Sequence, residues 1–217
     1  MEVNPDATRL LLIRHAHIDT GKAGPRMCGW LDLPLSPVGE LQLKRFHDEL
    51  SEFKSQAVYA SSSSRARSTA ETLASNWGLD LSIDPQLREI NCGTLEGMPI
   101  QEVKHRYLDL WAENALQENS DFCWPNGETY RDFRRRVFMA LSRIARQHTN
   151  ARIAVVTHAG VIAQVVGAVK SLSPAVWERY RPAPFTATDV IWSGDAPLQL
   201  LSFNVTDWWR GAQLHAE

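Results

Sequence analysis

Short apolar runs alternate along this chain with longer segments of helical periodicity. Four runs have the length and composition of buried strands: residues 10–13, 57–60, 81–83 and 152–157. Residues 188–192 and 198–203 predict two more strands near the end. Strands that alternate with helices at this spacing predict an α/β fold in three layers, α/β/α, with a mostly parallel central sheet.

Helix starts and apolar spacing locate the helices. Ser36 and Pro37 have the pattern of an N-cap and a first helical position. The apolar face of this helix is predicted at Leu41, Phe46, Leu50 and Phe53. Further helices are predicted at about 65–77, 99–115 and 127–147 and after His158. No repeat or Pro/Gly-rich hinge divides the chain, which predicts a single domain over residues 1–217.

Composition excludes several classes of protein. The 217 residues include 23 Lys and Arg against 25 Asp and Glu, a net charge of −2, where a nucleic-acid or membrane-surface protein would be basic. No apolar run approaches the roughly 20 residues of a membrane span. Cys28, Cys92 and Cys123 are widely spaced, and residues 1–9 lack the pattern of a signal peptide, so we expect a cytoplasmic protein with reduced thiols.

Polar groups follow three of the predicted strands: Arg14 and His15, the segment 61–65 with Arg65, and His158. Ligands of open α/β sheets bind outside the carboxyl ends of the strands, so we expect these groups to converge. Two Arg and two His suit a doubly charged tetrahedral anion, since guanidinium matches phosphate oxygens. The helix after His158 would add N–H donors from its N-terminus.

Such a pocket predicts phosphoryl chemistry. Positive neighbours favour a neutral imidazole, which can attack phosphorus and carry the phosphoryl group. A carboxyl group such as that of Glu89 can protonate the leaving oxygen and then activate water.

Five segments resemble, in order, the motifs of the histidine phosphatase superfamily, in its phosphoglycerate mutase-like branch. They are Leu-Ile-Arg-His-Ala (12–16), Ser-Ser-Arg-Ala-Arg-Ser-Thr-Ala (63–70), Leu-Arg-Glu-Ile (87–90), Gly-Thr-Leu-Glu-Gly (93–97) and Val-Thr-His-Ala-Gly (156–160). The segment 26–39 is similar to the substrate-side loop and first helix of that family, and 125–129 to one of its helix starts.

The resemblance implies a phosphoglycerate mutase-like fold and a role for each site residue. His15 would be the phosphorylated nucleophile and Glu89 the acid/base. The substrate-binding residues would be Arg14, Arg65, His158, Ala159, Cys28 and Gly29. No metal or other cofactor is implied, because Arg and His neutralise the phosphate.

Three positions depart from the family pattern. Ala16 and His17 replace the usual Gly and acidic residue, and Gly21 stands where an Asn is common. We expect Ala16 to be tolerated if its φ is negative, and His17 to be an exposed loop residue rather than a replacement for part of the phosphate contact. The missing Asn removes one expected phosphate ligand.

The same resemblance favours hydrolysis over mutase chemistry. Glu89 and His158 are 69 positions apart, without the long basic insertion of the cofactor-dependent mutases. Without a lid that excludes water, we expect a phosphatase for a small phosphorylated metabolite. Size and layout resemble α-ribazole-5′-phosphate phosphatases and broad-specificity phosphatases alike.

The tryptophans are open to two interpretations. Trp30, Trp111 and Trp124 either form a wall for a ring-containing leaving group or fill the core. Trp208 and Trp209 are expected to pack on the sheet or on the second subunit of a homodimer.

Three alternatives to a phosphatase remain. One is phosphoglycerate mutase-type phosphoryl transfer. Another is a metal-dependent hydrolase that uses His15, His17 and His158, although Arg14 and Arg65 would repel a divalent cation. The last is a non-catalytic protein that binds a phosphate-containing ligand, for which an acid/base such as Glu89 would serve no purpose.

Overall fold

A six-stranded sheet forms the centre of the computed structural model, which describes residues 7–22, 24–49, 54–193 and 198–210. Its strands are β1 (Thr8–Arg14), β2 (Ala57–Ala60), β3 (Leu81–Ile83), β4 (Arg152–Thr157), β5 (Ala187–Trp192) and β6 (Gln199–Val205), in the order β3-β2-β4-β1-β5-β6. The four strands β3, β2, β4 and β1 pair in parallel, whereas β5 runs antiparallel to β1 and to β6. The mostly parallel sheet predicted from the sequence is confirmed.

Helices cover both faces of this sheet. They are α1 (Pro37–Asp48), α2 (Ser64–Trp77), α3 (Ile100–Arg106), α4 (Leu108–Leu116), α5 (Tyr130–Gln147) and α6 (Ala159–Val169). Leu11 and Ile13 of β1 pack with α1 and α2, whereas Leu10 and Leu12 pack with α5 and α6. Successive residues of a strand point to opposite faces, so one apolar run serves both cores. The predicted α/β/α layering is confirmed.

Helix α1 starts as predicted, but its buried face differs. Ser36 caps it by accepting a hydrogen bond from the Gly39 N–H at 3.1 Å. The buried positions are Gly39, Leu43 and Phe46, whereas Leu41 is 65% exposed. At 100° per residue, Leu41 lies about 140° around the helix from Phe46, so the prediction for Leu41 was wrong.

The other two residues predicted for that face, Leu50 and Phe53, lie outside the described residues.

The segment predicted as one helix over 99–115 forms two helices. Tyr107 separates α3 from α4 and has φ −125° and ψ 47°, which is not a helical conformation. The helix predicted over 127–147 begins later, at Tyr130, because Thr129 caps it by accepting from the Asp132 N–H at 3.0 Å.

A third apolar cluster lies apart from the two sheet-facing cores. It is built from the loop after β3, from α3 and from the segment before α5, and its buried members are Cys92, Leu95, Val103, Phe122, Trp124 and Tyr130. Trp111 and Trp177 pack against it and are partly buried. This cluster supplies one wall of the cavity described below.

Trp208 and Trp209 near the end of the chain belong to the sheet-facing core. The Trp208 ring is fully buried, 5.5 Å from the ring of Phe46. All three cysteines of the chain are free. Within the described ranges, no helix has the length and apolar character needed to cross a membrane. The single domain over 1–217 stays a prediction.

Candidate active site

The carboxyl ends of β1, β2 and β4 border one cavity of about 670 Å³. Each end delivers part of the site: His15 directly follows β1, Arg65 lies in the first turn of α2, and His158 connects β4 to α6. Seven of the eight site residues predicted from the sequence line this cavity, namely Arg14, His15, Cys28, Arg65, Glu89, His158 and Ala159. The eighth, Gly29, does not line it.

His15 is held as a neutral imidazole with one defined free nitrogen. The residue is 4% exposed, and Nδ1 lies 2.8 Å from the carbonyl oxygen of Ala16. A carbonyl only accepts hydrogen bonds, so Nδ1 carries the proton and Nε2 keeps its lone pair. Burial, then Arg65 and Arg14, lowers the pKa of His15 well below its ordinary value. These are the properties of a nucleophile.

His158 lies beside His15 as a second neutral imidazole. The two ring centroids are 5.2 Å apart, at an angle of 62°. Nε2 of His158 lies 2.8 Å from Ser61 Oγ and 3.3 Å from Ser63 Oγ, so the loop after β2 orients the ring. Burial, then Arg65, lowers the pKa of His158 well below its ordinary value. If Nε2 accepts from Ser61, the proton resides on Nδ1, where it can be donated to a phosphoryl oxygen.

Arg14 and Arg65 supply the positive charge. Arg65 is 1% exposed and donates to the carbonyls of Gly29 and Leu31 at 2.8 and 2.7 Å. Arg14 donates to the carbonyl of Pro182 at 2.6 Å. Burial, followed by the nearby charge of Arg181, lowers the pKa of Arg14 to about 10, which leaves it cationic at neutral pH.

These side chains keep donors available. Among the described residues, the buried Nε atoms of Arg14 and Arg65 and Nδ1 of His158 have no hydrogen-bond partner. Buried polar groups of this kind are ordinarily paired. A tetrahedral anion with several acceptor oxygens suits three such groups around one cavity.

Glu89 is fixed beside the start of α6. Its carboxylate accepts from its neighbour Ile90 N–H at 3.0 Å and from the Gly160 N–H at 2.9 Å. Gly160 is required for this approach, because a Cβ there would lie 2.1 Å from Glu89 Oε1. The sequence predicted that the N–H groups at the start of this helix would bind the anion. In the structure, the N–H group of Gly160 donates to the Glu89 carboxylate instead.

A comparison with known protein families decides the identity of this arrangement. A sequence profile of the histidine phosphatase superfamily (branch 1) matches residues 10–206. The chain belongs to this superfamily.

Individual curated proteins are similar to the chain in sequence, and a solved structure is similar to it in fold. The chain is 32% identical over 182 residues to phosphoglycerate mutase-like protein 4 of Arabidopsis thaliana, covering 82% of this chain and 73% of that protein. It is 28% identical over 177 residues to the metal-independent phosphoserine phosphatase of the same plant, covering 81% and 74%. The solved α-ribazole phosphatase of Shigella flexneri superposes with a TM-score of 0.76 at 23% identity, over 91% and 96% of the two chains. The family resemblance and the phosphoglycerate mutase-like fold are confirmed.

The loop 29–31 of this histidine phosphatase is held by Glu96, a role that the sequence pattern did not predict. The Glu96 carboxylate accepts the backbone N–H groups of Gly29, Trp30 and Leu31 at 3.1, 2.6 and 2.9 Å, and that of Cys92 at 2.9 Å. Gly29 therefore contributes through its backbone, with its N–H on Glu96 and its carbonyl on Arg65. Its predicted role in binding substrate directly stays a prediction.

Arg136 holds the loop that carries Glu89, and it too was missed. Its guanidinium pairs with both carboxylate oxygens of Glu128 at 2.8 and 2.7 Å and donates to the carbonyls of Gln86, Arg88 and Glu89. On sequence alone, Arg136 reads as a polar position of α5, since nothing local links it to a loop almost 50 positions earlier.

The departures from the family pattern occupy definite places. Ala16 is fully buried and is not among the described residues with positive φ, so its methyl group is accommodated as expected. His17 is exposed at the cavity rim, where Nδ1 lies 2.8 Å from Ser36 Oγ. Gly21 is exposed, with φ 72°.

Of the three tryptophans considered for a leaving-group wall, Trp111 and Trp124 line the cavity. Trp30 does not; its ring stacks on Arg88 at 4.3 Å, and its Nε1 donates to the Glu89 carbonyl at 2.9 Å. Within the described residues, no three His, Cys, Asp or Glu side chains come together as a metal site would require.

Proposed function

We propose that this histidine phosphatase hydrolyses phosphomonoesters of small metabolites without a metal ion, through a phosphohistidine on His15. The observation that carries the proposal is the hydrogen bond from His15 Nδ1 to the Ala16 carbonyl, which leaves Nε2 unprotonated beside the guanidinium groups of Arg14 and Arg65. The membership of the superfamily supports the same chemistry.

The first step transfers the phosphoryl group to the enzyme. His15 Nε2 donates its lone pair to phosphorus, and the bond from phosphorus to the ester oxygen breaks. Glu89, in its protonated form, gives a proton to the leaving oxygen, which departs as the alcohol. Arg14 and Arg65 neutralise the phosphoryl oxygens, which carry the charge of the transition state.

The second step returns His15 to its starting state. The Glu89 carboxylate accepts a proton from water, and the water oxygen attacks phosphorus as the bond to Nε2 breaks. Inorganic phosphate leaves, and Glu89 is again protonated. If a second alcohol enters instead of water, the same intermediate performs phosphoglycerate mutase-type transfer.

The test is hydrolysis of p-nitrophenyl phosphate at about pH 6 after exhaustive chelation, together with trapping of the intermediate. We expect full activity after chelation and an acid-labile, base-stable phosphoryl adduct. His15→Ala is expected to lower kcat by at least ~10³-fold, as for other covalent nucleophiles, and to abolish the adduct. The exposed His105 on α3 provides the matched control, His105→Ala.

Three results would contradict the proposal. Retained turnover in His15→Ala would remove the nucleophile assignment, and loss of activity on chelation would favour a metal-dependent hydrolase. Binding of phosphate without turnover of any phosphomonoester would favour a non-catalytic binding protein.

For the specific substrate, we propose α-ribazole-5′-phosphate as the first to be tested, because its leaving group carries a planar ring. The comparison is kcat/KM for this ester against phosphoserine, 3-phosphoglycerate, sugar phosphates and nucleotides. A higher value for any of these would replace α-ribazole-5′-phosphate as the proposed substrate.

A further inference from the structure

The cavity extends beyond the phosphate-binding residues into a region lined by aromatic rings. Five aromatic side chains line it: Trp111, Trp124, Tyr130, Phe133 and Trp177. The volume of about 670 Å³ is within the range of sites that enclose a whole small molecule, and it exceeds what the phosphoryl group alone occupies. The remaining space is available to the leaving group.

The rings of this wall are fixed by their neighbours. Trp111 and Trp124 lie 6.3 Å apart between centroids at a tilt of 31°, and Tyr130 and Trp177 stack at 6.4 Å and 17°. Phe122 supports both pairs, with its ring 5.0 Å from Trp124 and 6.1 Å from Tyr130. Rigid rings lose little conformational entropy when a ligand packs on them.

Several polar groups at this wall are already engaged with the protein. The Tyr130 hydroxyl donates to Asn114 Oδ1 at 2.6 Å. Lys104 Nζ stands 5.0 Å from the centroid of the Trp111 ring, and the Arg181 guanidinium 5.2 Å from that of Trp177. A leaving group rich in hydroxyl groups would compete for these partners, whereas a planar apolar ring needs none of them.

We propose that the aromatic pocket, defined as Trp111, Trp124, Tyr130 and Trp177, binds a planar ring on the leaving group, so that the substrate class is phosphomonoesters of ring-bearing alcohols. The proposal rests on the phosphatase function proposed above. It assigns specificity to the third apolar cluster, while the phosphate end of the cavity performs the same chemistry on any ester.

The experiment compares kcat/KM for ethyl, 2-cyclohexylethyl, 2-phenylethyl and 3-phenylpropyl phosphate, with glucose 6-phosphate as a hydroxyl-rich ester. The four simple alcohols have similar acidity, so differences among them report on the pocket rather than on bond cleavage. We expect kcat/KM of the better phenyl ester to be at least ~10-fold higher than that of ethyl phosphate. We expect it to be about 3- to 10-fold higher than that of the cyclohexyl ester, which is the range given by contacts between aromatic rings.

The matched variants lie on the same helix. Trp111→Leu keeps the wall apolar but removes its planar ring, and it is expected to reduce the ratio of phenyl to cyclohexyl ester to about 1. Leu108→Ala changes an exposed side chain of α4 outside the cavity and is expected to keep the ratio of the native protein. Thermal unfolding of both variants verifies that they are folded.

The outcomes separate this inference from the function on which it rests. Equal kcat/KM for phenyl and cyclohexyl esters, a preference for glucose 6-phosphate, or an unchanged ratio in folded Trp111→Leu would overturn the aromatic pocket and leave the phosphatase intact. If no ester is hydrolysed, the proposed function itself fails.

Discussion

A nucleophilic imidazole needs one nitrogen with a free lone pair, and in His15 a single hydrogen bond determines which one. The Ala16 carbonyl accepts a hydrogen bond from the Nδ1–H group, and burial together with the cations Arg65 and Arg14 keeps the ring neutral. Glu89 is held in an equally defined way, between the N–H group of Ile90 and that of Gly160 in the first turn of α6. At this scale the proposed function assigns the nucleophile to His15, the acid/base to Glu89 and the fixed positive charge to Arg14 and Arg65.

Glu89→Gln tests the proton transfer at the leaving oxygen. The amide keeps an oxygen that can accept from Gly160 but has no acidic proton to give. We expect ethyl phosphate, a poor leaving group, to be slowed at least ~100-fold, and p-nitrophenyl phosphate less than ~10-fold. Equal slowing of both esters would show that Glu89 has another role, and Glu102→Gln on the exposed surface of α3 serves as the control.

The next scale is that of the loops and helices that hold these residues. The loop 29–31 is fixed on both sides: its N–H groups donate to Glu96, and the carbonyls of Gly29 and Leu31 accept from Arg65. Glu96 is therefore a positioning residue for Arg65, through the loop between them. Arg136 has the same relation to Glu89.

Glu96→Ala is expected to weaken competitive inhibition by inorganic phosphate by about 10-fold, because Arg65 loses the fixed carbonyls that orient its guanidinium. The informative measurement is a double-mutant cycle. In an Arg65→Ala background, Glu96→Ala should have little further effect on phosphate binding, since the two act through one contact chain. Effects that simply add would mean that Glu96 stabilises the fold without positioning Arg65.

The elements themselves were mostly predictable, and the exceptions have physical causes. Strand β4 and the start of α1 follow from an apolar run and from an N-cap with proline at the first helical position. The break at Tyr107 has no Gly or Pro to announce it, and it arises where α3 and α4 pack on the third cluster. The apolar periodicity of a segment reports on the buried face of one helix, so it does not show where two helices pack on a third cluster.

Across the whole molecule, a nearly neutral chain concentrates cationic and imidazole groups at one edge of its sheet. The net charge of −2 is a property of the whole chain and does not reflect the local charge of the cavity. Three arginines line that cavity: Arg14, Arg65 and Arg181. The cost of this concentration is that two imidazoles are buried in their neutral form, without the second proton that they would bind in water.

This burial predicts how stability depends on pH. Below about pH 6.5 the unfolded chain binds a proton at both His15 and His158, whereas the folded protein does so only at much lower pH. The free energy of unfolding should therefore fall on acidification, by up to about 1.4 kcal/mol per pH unit for each imidazole. Urea unfolding at pH 7.5, 6.5 and 5.5 measures this slope.

Replacing one buried imidazole measures how much that residue contributes to the pH dependence of the free energy of unfolding. His158→Asn is expected to reduce the slope of the unfolding free energy against pH by an amount equivalent to at most one bound proton. His105→Asn, at an exposed position, should leave this slope unchanged. The same slope in His158→Asn and in the native protein would show that His158 is not buried in its neutral form.

The sequence by itself determined the layered α/β fold and the polar residues that meet at one end of the cavity, because both follow from local signals: apolar runs, a helix cap, and polar groups placed directly after strands. Only the tertiary structure assigned roles to Glu96 and Arg136, and only it separated Trp111 and Trp124 in the cavity wall from Trp30 on Arg88. These roles depend on side chains that meet across tens of positions of the chain. The spacing of these residues along the chain has no periodicity that would predict such contacts. The roles follow instead from how the loops and helices pack around the cavity.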